Sequence, residues 1–311
     1  MTASQSDRTL SRNVASPGSP GHGARVLALV LAGGRGKRLG VLTKRRAKPV
    51  VSFAGTYRLI DFALSSVANS GISDVWIVEE YRLHTLNDHL ANGRPWDLDR
   101  TRGGLLVLPP YSGGDEDEGG FASGNADALY RHLPLLREYA PDVLLVLSAD
   151  HVHTLDLVDV VRTHLDSGAR VTLVTADLPL GEDATRFANV VADDEGRVTR
   201  FEYKPDRPVS DHVATEVFAY DAPALFERLD TLARELGEDG LGDYGEHLVP
   251  SFVREGEARA LHTAGYWRDV GLYDAYWRAH MDLVDGRGVT LDDPARPVLS
   301  SSVPRTPARV E

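Results

Sequence analysis

Between Leu31 and Pro49 the chain reads LAGGRGKRLGVLTKRRAKP, and seven of these residues are lysine or arginine. Glycine lets the main chain approach a ligand closely, and backbone N–H groups at a strand-to-turn junction can hold phosphate oxygens. Arg35, Lys37, Arg38, Lys44, Arg45, Arg46 and Lys48 add forked or mobile positive charge. Leu31, Ala32, Gly33, Gly34 and Gly36 would then form the strand end and loop that cradle a polyphosphate. A tight turn with a solvated basic face explains the glycines equally well, and it is the following KRRAKP that favours phosphate. The spacing is not that of a Walker A loop, and Leu39 stands at the last position of a dinucleotide fingerprint.

Carboxylates that could accompany such a loop lie further along. Asp150, in LSAD, directly follows an apolar run. That position is the edge where α/β sheets carry their functional groups, although an aspartate there also caps helices. Asp269, in WRDVG, reads by itself as a turn residue. Lys204 precedes Pro205, which holds it extended. Asp243, in GDYG, has a plain alternative as the cap of the next helix. Asn125 and Asp127, in GNADA, equally suit a helix start.

The elements that must position these residues follow from hydrophobic pattern. RVLALVL is a continuous apolar run, the mark of a strand buried on both faces. IDFALSSVANSG, DVWIVEE, HTLNDHLANG, ADALYRHLPLLREYA, DVLLVLSAD, LDLVDVVRTHLDSG and RVTLVTADL then alternate between helical and strand texture. That alternation predicts an α/β fold with a mostly parallel, mixed sheet and helices on both faces. NVVADDEGRVTRFEYKP reads as a hairpin and HVATEVFAYDA as a further strand. APALFERLDTLARELG, DYGEHLVPSFVREG and LYDAYWRAHMDLV read as helices, and ARALHTAGYWRDVG as a strand and loop. Residues 1–24 are expected to be a disordered lead, 25–285 a catalytic domain and 286–311 an irregular tail.

Composition bounds the rest. The 311 residues contain no cysteine, which excludes disulfides, thiol catalysis and zinc–thiolate sites. The net charge of −12 argues against a general nucleic-acid or anionic-membrane binder. No apolar run is long enough to span a membrane, and the start of the chain does not read as a signal peptide, so a cytoplasmic location is expected.

LAGGRGKRLGVLTKRRAKPVVSFAGTYRLIDFALSSVANSGI resembles the opening of the sugar-phosphate nucleotidyltransferases, and within them the bacterial glucose-1-phosphate adenylyltransferases. The resemblance continues through HTLNDHL, GNADALY, SADHVHTLDL, HLDSGARVTLVTADLP, DYGEHLVP and YWRDVGLYDAYWRAHMDL, across about residues 25–285. It implies a Rossmann-like, GT-A-like fold and transfer of a nucleotidyl group from a nucleoside triphosphate, ATP foremost, to glucose 1-phosphate. It implies Mg²⁺ held by Asp150 and Asp269, with Arg38 and Lys48 on the phosphates beside Asp150. It further implies Lys204, Asp243 and Trp267 on the sugar phosphate, and Gly124, Ala126 and Asp127 around the base. A homo-oligomer, or assembly with a longer homologue, would also fit.

The departures from the family pattern cluster on base and sugar readout. Phe121 is kept, but Ala122 and Ser123 replace a tyrosine and a polar residue, after an acidic glycine-rich segment SGGDEDEGG. Ala188 and Asn189 replace a glycine and a valine, Tyr203 a glutamate, Glu216 a glycine and Glu80 a glutamine. The expectation is retained phosphoryl chemistry with altered substrate choice. No hexapeptide repeat of a left-handed β-helix is present, so the family's effector apparatus is expected to be missing. The competing expectation is a non-catalytic relative that binds nucleotide or sugar phosphate and modulates a partner. A nicotinamide-dependent oxidoreductase fits only the strand and glycine loop.

Overall fold

The computed structural model describes residues 23–34, 36–79, 83–109, 122–237 and 240–301. Arg35, Glu80, Phe121, the segment SGGDEDEGG and the ends 1–22 and 302–311 lie outside the described residues.

One nine-stranded mixed sheet organises the chain. β1 (Val26–Ala32) lies between β4 (Asp74–Glu79) and β6 (Val143–Ser148), parallel to both, and β5 (Gly104–Leu108) extends the parallel set. β11 (His212–Asp221) is inserted antiparallel between β6 and β8 (Val171–Asp177), and β12 (Ala258–His262) runs parallel to β8. The hairpin of β9 (Ala188–Ala192) and β10 (Val198–Tyr203) joins the start of β11. The turn of this hairpin is fixed by Asp193 Oδ1, which accepts from the amides of Glu195 at 3.0 Å and Arg197 at 2.8 Å. Two small pairs lie outside the sheet: β2 (Ser52–Phe53) with β3 (Tyr57–Arg58), and β7 (His151–His153) with β13 (Trp267–Asp269).

Strand alternation divides the core in two. Leu27 and Leu29 join Leu144 and Val146 under α3 (Asn125–Arg131), α4 (Leu133–Tyr139), α6 (Ala222–Leu236) and α7 (Leu248–Arg254). Val26, Ala28 and Val30 join Val143, Leu145 and Leu147 under α1 (Leu59–Asn69), α2 (Leu83–Leu90) and α5 (Leu157–Ser167). Helices therefore cover both faces, and the continuous apolar runs of β1 and β6 have this cause. A third cluster around Phe53 and Phe62 is covered by α8 (Tyr273–Val284) and by Val289 and Val298.

The structure differs from the sequence expectations in places with clear local causes. The single helix expected over ADALYRHLPLLREYA is two helices, separated at His132, with Pro134 in the first turn of the second. DYGEHLVPSFVREG is helical only from Leu248 to Arg254. The short strands β2, β3 and β7, and the edge strand β5, were not anticipated. Residues 286–301 carry no regular element, yet they dock on α1: Ser65 Oγ accepts from the Leu299 amide at 2.8 Å, and Asn69 Nδ2 donates to the Pro297 carbonyl at 3.0 Å.

Glu79 ends β4 opposite Ala32 and is fully buried. Its Oε2 lies 3.4 Å from Asn87 Nδ2, and its Oε1 has no partner among the described residues. Burial pushes its carboxyl up to about 7. Unfolded, the group ionises near its ordinary value of 4.5. The folded state thus holds a proton the unfolded chain has lost, and stability falls as pH rises from about 4.5 to about 7. Glu79→Gln is expected to gain roughly 2 kcal/mol over the parent at pH 8, and little at pH 4. Urea unfolding at both pH values checks this, and an equal difference at the two would contradict it.

Candidate active site

The cleft opens where β1 and β6 end, on the Leu31 face of the sheet. Its volume is about 290 Å³, and its wall includes Leu31, Gly33, Gly34, Arg38, Lys48 and Asn125. Asp150, His151, Glu216, Asp243, Tyr244 and Asp269 face them. Strand ends deliver the acids: Asp150 lies just beyond β6, and Asp269 ends β13, paired with His151.

Lys48 is the centre of the arrangement. It is 7% exposed, its Nζ donates to Asp150 Oδ2, and it lies 3.7 Å from Asp269 Oδ1. Burial alone would lower its pKa, but the carboxylates of Asp150 and Asp269 outweigh that and raise it. Burial likewise pushes Asp150 up, and Lys48 and His151 overcome it, holding the carboxyl well below its ordinary range. Ser148 Oγ also donates to Asp150 Oδ1. Lys48 and Asp150 are thus charged together in a part-buried place.

His151 closes the site from below. Its Nε2 lies 3.6 Å from Asp150, 3.7 Å from Glu216 and 3.7 Å from Asp269, and its Nδ1 lies 3.0 Å from the Thr215 carbonyl. Burial lowers its pKa, and the three carboxylates reverse the shift upward. Glu216 sits at the register shift of β11 with φ of +57°, a backbone region that strains residues other than glycine. Its Oε1 accepts from Tyr244 at 3.2 Å, and burial raises its carboxyl. Arg186 approaches Asp269 to 3.6 Å from outside. The Glu182 side chain is 2% exposed and accepts from both Arg186 and Arg268, which fixes Arg186 in place.

The glycine loop is compact. Gly36 has φ of +63° and its carbonyl accepts from Thr43 Oγ1 at 2.8 Å; a Cβ there would meet Thr43 at 2.8 Å. Arg38 is exposed on the cleft wall and has no hydrogen bond or ion pair to a described residue. Among the described residues a Cβ at Gly34 would meet nothing within 4 Å, which leaves room there for a ligand.

Of the residues singled out from sequence, Leu31, Gly33, Gly34, Arg38, Lys48, Asp150, Asp243 and Asp269 meet on this wall. Ala32, Gly36, Ala126, Asp127, Trp267 and Lys204 do not line it. Ala32 points to the opposite face by strand alternation and is buried there. Gly36 faces Thr43 and Lys48 beneath the loop. Asp127 is buried at the start of α3, where Oδ2 accepts from the Ser123 amide at 2.7 Å and Oδ1 from Arg131 at 3.0 Å. Ala126 is buried in the core beside it. Trp267 is buried behind His151, edge-on to it at 5.4 Å and to Phe187 at 5.6 Å. Lys204 stays at the rim, and its backbone is left-handed with φ of +46° rather than extended as expected before Pro205; its Nζ lies 2.5 Å from Tyr203 Oη.

Tyr203 in turn donates to Asp243 Oδ2 at 2.7 Å. Asp243 Oδ1 accepts from the Asn125 amide at 3.2 Å, so it caps α3 rather than the helix that follows it in sequence. Sequence reasoning passed over His151 and Tyr244 and noted Glu216 and Tyr203 only as departures. His151 had one usable signal, its place next to Asp150 at a strand end.

Residues 27–286 match the family model described as nucleotidyl transferase. The chain belongs to that family. It is 43% identical over 261 residues to the glucose-1-phosphate adenylyltransferase of Thermotoga neapolitana, covering 83% of this chain and 60% of the relative. To the enzyme of that name from Clostridium novyi it is 38% identical over 261 residues, covering 84% of this chain and 67% of the relative. The chain thus spans about 60% of the length of several curated relatives it matches. Among the described residues no helix is long and apolar enough to cross a membrane.

Gly124 is pressed against this site. A Cβ on it would lie 2.3 Å from the Gly242 carbonyl carbon, while the Ala126 amide donates to the Gly242 carbonyl at 3.1 Å. Gly124→Ala must therefore separate two backbones and displace Asp243. It is expected to cost on the order of 2–3 kcal/mol. Thermal melting checks it, and an unchanged melting temperature would show the two segments to be loosely joined.

Proposed function

We propose that the chain transfers a nucleotidyl group from a nucleoside triphosphate, ATP foremost, to glucose 1-phosphate, giving ADP-glucose and pyrophosphate for glycogen or another α-glucan. The observation that carries this reading is the buried Lys48 shared by Asp150 and Asp269 beside an open glycine loop. The names of the relatives supply the substrate pair.

In the reaction an oxygen of the sugar phosphate attacks the α-phosphorus. One P–O bond forms there, the bond from that phosphorus to the pyrophosphate oxygen breaks, and the electron pair leaves with pyrophosphate. The attacking oxygen is already ionised, so no general base is required, and alignment and charge neutralisation dominate. The main chain at Gly33 and Gly34 would cradle the triphosphate. Arg38, without a partner among the described residues, would follow the charge that builds on the departing pyrophosphate. Lys48 holds its proton and would present it to phosphate oxygens at the reacting centre.

Asp150 and Asp269 fit a Mg²⁺ ion: both are hard oxygen donors, both share Lys48 and His151 as neighbours, and such ions take few carboxylates together with phosphate oxygens. When bound, the ion would neutralise phosphate charge and fix its geometry.

On the sugar side, Glu216 and the Tyr203–Asp243 pair set a different surface from the family pattern. A Glu216 carboxylate on the cleft wall would repel the phosphate that every sugar 1-phosphate carries, lowering affinity for all of them.

Pyrophosphate release with each of four nucleoside triphosphates and a panel of sugar 1-phosphates tests the proposal. Turnover with ATP and glucose 1-phosphate is expected, and silence across the panel would refute it. Asp150→Asn is expected to lower turnover by roughly 10³-fold while leaving nucleotide binding detectable. Loss of less than threefold would remove Asp150 from the reacting centre. Glu216→Gly relieves both the repulsion and the left-handed strain, and is expected to raise kcat/KM for glucose 1-phosphate about tenfold. A fall instead would mean that the carboxylate holds the substrate.

A further inference from the structure

A second group of metal-type ligands stands apart from the cleft. Asp177 ends β8, and its direct partner across the antiparallel ladder is His212, the first residue of β11. On the other side of β8, His262 ends β12 opposite Thr175, two residues before Asp177. Cross-strand partners share a face, and so do residues two apart on one strand. The three side chains therefore emerge together by backbone register alone. Upstream on that face Leu173, Ala214 and Ala260 belong to the apolar core, so the change to His, His and Asp is abrupt at the sheet edge.

The geometry is convergent. His212 Nε2 and His262 Nε2 each lie 3.8 Å from the same Asp177 oxygen, and all three ligand atoms fall within 4.8 Å of one another. The rings are 4.8 Å apart. A distance of 3.8 Å is too long for a hydrogen bond, and these side chains make no hydrogen bond to other described residues. Ligands around a tetrahedral ion with bonds of about 2.0–2.1 Å stand about 3.4 Å apart, so a closure of roughly 0.4 Å is enough for each Asp177–histidine pair, and of at most about 1.4 Å for the two imidazoles. The side chains are 76%, 52% and 39% exposed for Asp177, His212 and His262. They can make that small adjustment, and water can complete the coordination.

The geometry points to a surface site for a borderline divalent transition metal, of the Zn²⁺, Co²⁺ or Ni²⁺ class, held by Asp177, His212 and His262. Two imidazoles select these ions over Mg²⁺, which prefers an all-oxygen shell. The site is distinct from the cleft: His212 and Glu216 are separated by four residues of β11, about 13 Å of strand. It would clamp three strands at the edge from which the 178–186 segment departs, and that segment carries Arg186, paired with Glu182, to Asp269.

The test is a Co²⁺ titration of the whole chain in excess Mg²⁺, which occupies oxygen-only sites, followed by visible absorption and competed with Zn²⁺. One equivalent is expected to give a saturable band that Zn²⁺ abolishes. His212→Ala and His262→Ala should each weaken binding at least about tenfold, since each removes one of three ligands. His84→Ala, an exposed histidine on α2, should bind as the parent does. Zn²⁺ should raise the melting temperature of the parent and not of the double variant, whose metal-free melting temperature should match the parent's because the side chains are exposed. No saturable band, a band unchanged in the double variant, or a band lost in Asp150→Asn instead, would overturn the assignment.

Discussion

Everything near the cleft is arranged around one electrostatic constraint. Asp150, Asp269 and Glu216 gather, part-buried, at a strand edge. Their mutual repulsion and loss of hydration would be intolerable without positive charge in their midst. Lys48 and His151 supply it from two sides, with Arg186 supporting Asp269 from outside. The chain thus stores a charged cluster at the ends of its central parallel strands.

Holding that cluster demands rigid supports. β1 and β6 are parallel neighbours buried on both faces, so their ends are fixed by the core. Lys48 comes from a short turn packed against α1 and α2, and its main chain is tied there: the Ala47 amide donates to Thr85 Oγ1 at 3.1 Å. Asp269 comes from far along the sequence, and its strand is seated by pairing with β7 directly after Asp150. Three distant segments converge because the sheet edge offers each a hydrogen-bonded place.

The same logic explains the wall of the cleft formed by Asp243 and Glu216. Asp243 is held by the start of α3 and by Tyr203, so it cannot swing freely. Glu216 occupies a bulge where the chain turns left-handed. Its persistence there despite strain is what functional positions tolerate and ordinary strand positions do not.

The helices and strands of the sheet were legible in the sequence because their periodicity is a local consequence of burial. β1, α1, β4, β6, α5 and β8 appear where apolar pattern and glycine stops put them. The strand-end acids and the basic loop were legible too, since residue type and order carry that chemistry. Tertiary structure alone decided which of them meet. It turned Ala32 to the far face, drew Asp127 into a cap and sank Trp267 behind His151. It also brought His151, Tyr244 and Glu216 into the cleft, and set two histidines and an aspartate side by side on three strands. These outcomes depend on register and on pairing between segments more than a hundred residues apart. A one-dimensional pattern fixes a residue's face on its own element, but not which other element will lie against it.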